Sequence, residues 1–123
     1  MIDHVSVAVR DLETAARFYE AVLATIGMTK LEARAATVGF GKTYPEFWIN
    51  RRDAVAASDG AHVCFRARTA DMVDAFHAVA LANGGIDDGK PALRPQHGDG
   101  YYAAFIRDPD GNRVEAVTFV GKA

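Results

Sequence analysis

Hydrophobic and polar residues alternate at the start of the chain in a pattern that predicts a strand and then a helix. Over residues 2–9, valines occupy every second position from Val5 onward, and His4 falls on the opposite face. Asp11 is a suitable helix N-cap, and apolar residues then recur at helical spacing until Gly27. This segment is therefore expected to form one strand and one amphipathic helix.

The region that follows predicts further strands and then a second strand–helix segment like the first. Residues 28–50 contain apolar segments of strand length, separated by glycine, proline and polar residues, which indicate a meander of two or three strands. Residues 51–60 are rich in charges and alanines and are expected to be a connecting segment. A strand headed by His62 then precedes a helix for which Thr69 is the N-cap.

An internal repeat accounts for this second strand–helix segment. An offset of 58 residues, which sets His4 against His62, aligns residues 4–27 with 62–85 without a gap, and seven of the 24 aligned positions are identical. The period is too long for a solenoid, so we expect two similar modules packed against each other. Lining up the last strand of each module places Trp48 opposite Glu115.

Residues 101–119 predict two apolar strands joined by a turn. The sequence Asp-Pro-Asp-Gly-Asn at 108–112 is typical of a tight hairpin connection, because proline presets φ and glycine accepts the positive φ that follows. Glu115 stands in the middle of the second strand, among mostly apolar residues. Burying a carboxylate there is costly unless a positive group compensates it.

A divalent metal ion bound by Glu115 and two histidines of the repeat would provide this compensation. If the helices cover the valine faces, His4, His62 and Glu115 all point to the opposite, concave surface. Two imidazoles and one carboxylate suit a divalent first-row ion (Zn, Mn, Ni, Co or Fe) and leave positions open for substrate oxygens. A strand histidine is also commonly a hydrogen-bonded structural residue, so both interpretations stand at this point.

Composition narrows the classes of partner. With 123 residues, 50% of them hydrophobic and 24% charged, the chain has the size and content of one globular domain. A net charge of −2 offers no basic field for nucleic acid or an anionic membrane. The sequence contains no signal peptide and no long apolar span, so a cytoplasmic protein is expected. Cys64 is the only cysteine, which excludes an intrachain disulfide, and we expect an inert buried thiol.

These motifs resemble the vicinal oxygen chelate superfamily, which includes glyoxalase I, bleomycin resistance proteins, extradiol dioxygenases and fosfomycin resistance transferases. The resemblance rests on H-V-S-V-A-V-R-D-L near the start, H-V-C-F at the head of the second strand–helix segment and D-P-D-G-N-R-V-E-A-V near the end, and it covers essentially the whole chain. The sequence as a whole, including G-Y-Y-A-A-F, is most similar to those of uncharacterised bacterial members.

The resemblance implies a fold and a domain organisation. The expected fold class is α+β, with two paired βαβββ modules that form a cupped mixed sheet and carry helices on its outer face. A single domain is expected over residues 1–123, with module 1 at about 1–52 and module 2 at about 61–120. A homodimer is the expected assembly, because members of the superfamily commonly complete or flank their cups with a second chain.

The resemblance also implies a ligand set for a divalent metal ion. In that superfamily the ligands lie at the head of each module's first strand and within the last strand, which here are His4, His62 and Glu115. Trp48 falls at or next to the fourth ligand position of glyoxalase I and cannot coordinate a metal, so that activity is not expected. The set is most similar to that of the fosfomycin transferases.

Two candidates for substrate binding lie on predicted strands. Trp48 offers an aromatic wall of the kind that small-molecule sites commonly use, and its alternative place is the core. Arg66 shares the face of His62 and offers planar, two-point contact to a substrate carboxylate, although a solvated rim position is as common.

Three more candidates lie in or beside a loop. Arg94 and His97 belong to the polar, glycine-containing segment 94–100, which is expected to be a mouth or lid of the cup, or else an ordinary solvated loop. Tyr101 and Tyr102 point to opposite faces of a strand, so at most one of them lines the cup.

Three functional hypotheses follow. The first is a metal-dependent enzyme of lyase, isomerase or transferase type that chelates a small substrate through adjacent oxygens, with Glu115 as a ligand and proton acceptor. The second is a small-ligand-binding protein of the bleomycin-resistance kind, which binds without turnover. The third is an interaction module.

Overall fold

A computed structural model describes residues 1–121 of the 123-residue chain. Its two helices and eight strands follow the order of two βαβββ units. The elements are β1 (Val5–Val9), α1 (Leu12–Ala24), β2 (Thr29–Ala33), β3 (Thr37–Gly41), β4 (Phe47–Arg51), β5 (His62–Arg66), α2 (Ala70–Ala82), β6 (Ile86–Leu93), β7 (Tyr101–Arg107) and β8 (Arg113–Phe119). A short 3₁₀ turn, Pro95–His97, precedes β7.

Each unit builds its own four-stranded mixed sheet. The strand orders are β1-β4-β3-β2 and β5-β8-β7-β6, with the first and last strand of each unit parallel and the remaining pairs antiparallel. The predicted α+β class and the two paired βαβββ modules are confirmed. No strand of one sheet pairs with a strand of the other among residues 1–121.

The strand register supports the proposed alignment of the two modules. Ser6 of β1 pairs with Trp48 of β4, and Cys64 of β5 pairs with Glu115 of β8. Because Ser6 and Cys64 are related by the same 58-residue offset as the two histidines, Trp48 occupies the place in module 1 that Glu115 occupies in module 2.

Both helices begin where their capping residues predict. The Asp11 side chain accepts a hydrogen bond from the Thr14 backbone N–H (3.0 Å), and Thr69 accepts one from Met72 (3.2 Å). Each cap contributes about 1 kcal/mol to the stability of its helix. Gly27, with φ at +85°, follows the end of α1. Neither helix is long and apolar enough to cross a membrane, within the part of the chain that the structure describes.

The hydrophobic core lies between the sheets and the helices and is shared by both modules. Helix α1 packs against α2 as well as against its own sheet. The rings of Phe47 in β4 and Phe65 in β5 make an edge-to-face contact at 5.1 Å, which joins the two halves of the core. The opposite face of β1 and of β5, which carries His4 and His62, is exposed.

The turn at 108–112 forms the predicted hairpin and also binds the two modules together. Asp108 is 1% exposed, and its side chain accepts backbone hydrogen bonds from Asp110 (3.0 Å) and Asn112 (2.8 Å). The hydroxyl of Tyr19, on α1 of module 1, donates to Asp108 Oδ2 at 2.6 Å. Asn112 Nδ2 donates to the carbonyl of Ala8 in β1 at 2.8 Å. The motif therefore holds module 2 onto module 1.

Candidate functional site

Glu115 lies at the centre of the candidate site and is only 2% exposed. Its two carboxylate oxygens have different partners. His62 Nε2 lies 3.2 Å from Oε1, and the Tyr101 hydroxyl donates to Oε2 at 2.5 Å. The polar compensation that a buried carboxylate requires thus comes from one imidazole and one phenol.

Strand pairing brings these groups together. Because β5 and β8 are parallel neighbours, His62 and Cys64 share the face on which Glu115 points.

Cys64 is exposed, so the expectation of a buried thiol is wrong. Desolvation by its neighbours, followed by the negative charge of Glu115, raises the pKa of Cys64 to about 12. The group is therefore a protonated thiol at neutral pH and not a nucleophile.

A hollow of about 490 Å³, the module 2 hollow, opens over this cluster. Five of the residues that the sequence predicts for a functional site lie around it, on β5, β7, β8 and the 94–100 loop. Its lining residues are His62, Asp88, Arg94, His97, Tyr101, Phe105, Arg113 and Glu115. A volume of this size is in the range of small-molecule sites.

Arg94 is one of the two arginines that line this hollow. Its guanidinium lies 5.2 Å from the centre of the Phe105 ring, and Nη2 donates to the Lys90 carbonyl at 2.5 Å. Its Nε is buried and has no hydrogen-bond partner among residues 1–121. By contrast, Arg113 lies 3.4 Å from an Asp88 oxygen. Arg94 therefore places a guanidinium charge at the wall of the hollow, where an anionic ligand would be favoured.

The two adjacent tyrosines separate as their position on a strand requires. Tyr101 faces the hollow, and its ring centre lies 5.3 Å from that of His97, which is exposed at the rim. Tyr102 points to the helix side, where its hydroxyl donates to Asp74 of α2 at 2.5 Å. The hydrogen bond of Tyr101 to Glu115 was not predicted, since the two residues are not opposite each other in the strand register.

Two of the nominated substrate-binding residues lie outside the module 2 hollow. Arg66 shares the face of His62 on β5, but its guanidinium stacks over the ring of Phe119 at 4.6 Å. Trp48 lies in module 1, with the guanidinium of Arg34 at 5.2 Å from its ring.

His4 lines a second hollow, of about 530 Å³, which belongs entirely to module 1. The expectation that His4 shares one concave surface with His62 and Glu115 is therefore not met within one chain. Residues 1–121 contain no group of three metal-ligating side chains close enough to hold one ion. The physical reason is the pairing of each module's first strand with its own last strand, which leaves the two histidines on separate sheets. The lining residues are Asp3, His4, Ser6, Glu32, Arg34, Thr37, Tyr44, Pro45, Trp48 and Asn50.

A carboxylate orients His4 within the module 1 hollow. The Nδ1 atom of His4 lies 2.6 Å from Asp3 Oδ1, and the Tyr44 hydroxyl donates to the same oxygen. The Tyr44 hydrogen bond, and then that of His4, lowers the pKa of Asp3, which keeps it an acceptor. Nδ1 of His4 is therefore the donor, and Nε2 keeps its lone pair for a ligand. Sequence reasoning missed Asp3, although it directly precedes His4.

The geometry of His62 and Glu115 fits two ligands of a single metal ion. Ligands that are each about 2.0–2.2 Å from an ion, at angles of 90–110°, lie roughly 3.0–3.5 Å apart. The 3.2 Å between His62 Nε2 and Glu115 Oε1 falls in this range. Within residues 1–121, His62 and Glu115 thus form a pair of donors of suitable chemistry.

Comparisons with known proteins place the chain in one family. Residues 1–116 match the model of the glyoxalase/bleomycin resistance protein/dioxygenase superfamily. The virulence protein STM3117 of Salmonella typhimurium is 30% identical over 124 residues, which span 97% of this chain and 84% of that protein. A glyoxalase/bleomycin resistance protein from Albidiferax ferrireducens superposes with a TM-score of 0.84 at 34% identity, over 94% of this chain and 96% of the other.

A more distant likeness concerns the fold alone. The fosfomycin resistance protein FosX from Listeria monocytogenes, solved as a mutant with Mn(II) and 1S,2S-dihydroxypropylphosphonic acid, has a TM-score of 0.73 at 15% identity. This superposition covers 98% of this chain and 93% of the FosX chain. Both the family model and the architecture of two βαβββ modules agree with the resemblance seen in the sequence. This chain belongs to the glyoxalase/bleomycin resistance protein/dioxygenase superfamily.

Proposed function

We propose that this protein is a metal-dependent enzyme, of lyase, isomerase or transferase type, that acts on a small substrate with adjacent oxygens. The observation that carries the proposal is the 3.2 Å separation of His62 Nε2 and Glu115 Oε1, which is suited to two ligands of one divalent ion. The Mn(II) complex of FosX supports a metal of this kind on the same fold. Zn, Mn, Ni, Co and Fe all accept such donors.

The third ligand in this proposal is His4 of a second copy of the chain. His4 is exposed, its Nδ1 is engaged by Asp3, and its Nε2 is free to coordinate. Within one chain it lines a different hollow from Glu115. A twofold homodimer that apposes the module 1 hollow of one chain and the module 2 hollow of the other would form two identical three-ligand sites.

The remaining residues of the hollow have separate tasks in this proposal. Arg94 binds a substrate oxygen through its guanidinium, and stacking on Phe105 holds that group in place. His97 lies at the rim, where it contacts substrate as it enters. Glu115 doubles as the proton acceptor, a role in which Oε1 leaves the ion. A bound ion would supply Lewis-acid stabilisation of negative charge that develops on the substrate oxygens.

Metal analysis of the purified protein tests the proposal. About one divalent ion per chain is expected, and His62→Ala and Glu115→Ala should each abolish binding of Mn, Co, Ni or Zn in a calorimetric titration. His97→Ala is the matched control, since this histidine lies at the same hollow but is not a proposed ligand. A wild-type protein that binds none of these ions would contradict the metal-dependent function.

A mixing experiment tests the contribution of the second chain. His4→Ala and Glu115→Ala are each expected to lack metal, but a refolded equimolar mixture should regain roughly a quarter of the wild-type sites, because half of the dimers are hybrids with one intact site. If His4 acted within its own chain, no mixture of these variants would bind metal. Size-exclusion chromatography with light scattering would report the dimer directly.

One observation favours a second function, binding of a small ligand without turnover. The oxygens of Glu115 already face His62 and the Tyr101 hydroxyl, so the carboxylate is satisfied without an ion. In this alternative the module 2 hollow binds an anionic ligand through Arg94. Ligand binding that is unchanged by a chelator would support it, whereas binding that is lost with the chelator would support the enzyme.

A further inference from the structure

Tyr101 approaches Glu115 along the strand rather than across it. In the antiparallel pairing of β7 and β8, Tyr101 is opposite Phe119, and Glu115 is opposite Phe105. The side chain of Tyr101 therefore lies along the sheet surface, and its ring makes an edge-to-face contact with Phe119 at 5.5 Å. The His97 ring lies near it at 5.3 Å. These contacts hold the phenol over the carboxylate.

The hydroxyl of Tyr101 divides the carboxylate into two oxygens with different roles. It donates to Oε2 at 2.5 Å, while Oε1 alone faces Nε2 of His62 at 3.2 Å. Without this donor the carboxylate of Glu115 would be free to rotate about its terminal bond, or to present both oxygens to an ion. A hydrogen bond to the second oxygen of a ligating carboxylate fixes its orientation and its mode of binding.

We infer that Tyr101 is a positioning residue of the proposed metal site, which makes Glu115 a ligand through Oε1 only. The inference rests on the proposed function and gives Tyr101 a role different from the substrate contact that the sequence suggested. Its hydroxyl donates to Glu115 and is therefore not available as a donor to a substrate. Removing the hydroxyl is expected to weaken metal binding by about 10- to 100-fold, as is usual for residues that orient a ligand.

The adjacent tyrosine provides a matched control. Tyr101→Phe and Tyr102→Phe each remove one hydroxyl from the same strand, but the Tyr102 hydroxyl donates to Asp74 on the helix side and does not contact Glu115. Both variants keep the aromatic ring and hence its packing. Thermal unfolding of the metal-free variants, compared first, shows whether each is folded.

The experiment measures Co(II) and Mn(II) affinity by calorimetry in the wild type, in both tyrosine variants and in Glu115→Ala. Tyr101→Phe should bind about 10- to 100-fold more weakly than wild type, Tyr102→Phe should match the wild type, and Glu115→Ala should not bind. The visible absorption of bound Co(II) is a second measurement. A second Glu115 oxygen raises the coordination number, so the absorption of Tyr101→Phe should weaken relative to wild type.

The outcomes separate the inference from the function on which it rests. Equal affinity and equal Co(II) spectra in Tyr101→Phe and wild type, with loss of binding in Glu115→Ala, would overturn the role of Tyr101 and leave the metal site standing. Equal weakening in both tyrosine variants would also overturn it, because the effect would then come from the strand and not from Glu115. A wild type that binds neither ion would overturn both.

Discussion

The hydrogen bond between Tyr19 and Asp108 is expected to hold the two modules together, and Tyr19→Phe tests this. The substitution removes one hydroxyl from a side chain that is fully buried, and it leaves the ring packed between Phe18 and Phe47. The partner, Asp108, lies in the turn of module 2 and is 1% exposed. No other change in packing is expected, so the loss of stability reports this one interaction.

The magnitude follows from the charge and burial of the acceptor. A hydrogen bond to a charged group contributes about 1.5–3 kcal/mol. Asp108 Oδ2 keeps a second donor, Asn112 Nδ2 at 2.9 Å, so the lower half of that range is expected. A loss of about 2 kcal/mol in a domain of this size corresponds to a decrease of roughly 5–10 °C in Tm.

The loss of stability caused by Tyr19→Phe should also depend on pH. Burial raises the pKa of Asp108 above its usual 3.8, whereas the Tyr19 hydrogen bond opposes that rise. A raised carboxyl pKa makes the contribution of Asp108 to stability most favourable below pH 3.8, and that contribution is lost as the pH rises through the folded pKa. Because Tyr19→Phe raises this pKa further, its penalty should be smallest at acid pH and larger at pH 7.

Urea unfolding at pH 7 and at mildly acid pH, followed by circular dichroism, measures both effects. Tyr102→Phe is the control, since its acceptor Asp74 is exposed and a change within about 0.5 kcal/mol is expected. The reasoning would be refuted by a Tyr19→Phe variant as stable as wild type at pH 7. A penalty that grows as the pH falls would refute the assigned effect of the Tyr19 hydrogen bond, which is to lower the pKa of Asp108.

Two further predictions concern the backbone and the cysteine. Gly41→Ala would place its Cβ 1.8 Å from the Tyr44 carbonyl oxygen, so it should lower the unfolding free energy by more than about 2 kcal/mol. Gly60→Ala is the control, because open space surrounds Gly60 and the unfolding free energy should change little. Urea unfolding measures both effects. In the metal-free protein, Cys64, with a pKa of about 12, should react with iodoacetamide at pH 8 more slowly than a free thiol despite its exposure. Relative to free cysteine, the higher pKa lowers the thiolate fraction of Cys64 roughly a thousandfold. The more basic thiolate is about 20-fold more nucleophilic, so the expected reaction rate is roughly 50-fold lower. Glu115→Gln should partly restore the rate, and a rate equal to that of free cysteine would contradict the assigned shift.

Local sequence was sufficient for most of the elements and for their repetition, but it did not predict the strand β6 at Ile86–Leu93. Asp11 and Thr69 were recognised as caps, because capping requires only a side-chain oxygen and a backbone N–H three residues later. The 58-residue offset identified two modules and placed Trp48 where Glu115 stands in the other, which the strand register confirms. The turn at 108–112 was evident for the same reason, since proline and glycine set φ locally.

The tertiary structure alone decided which of these residues meet. Tyr19 and Asp108 are 89 positions apart, and Tyr101 reaches a residue that is not its strand neighbour, so neither contact leaves a periodic signal. The sequence identified His4, His62 and Glu115 as chemically suited to one site, but it carried no information on whether one chain brings them together. Because each module completes its own sheet, His62 joins Glu115 and His4 lies in a separate hollow. Side-chain chemistry is a property of each residue, whereas proximity depends on how the two sheets pack.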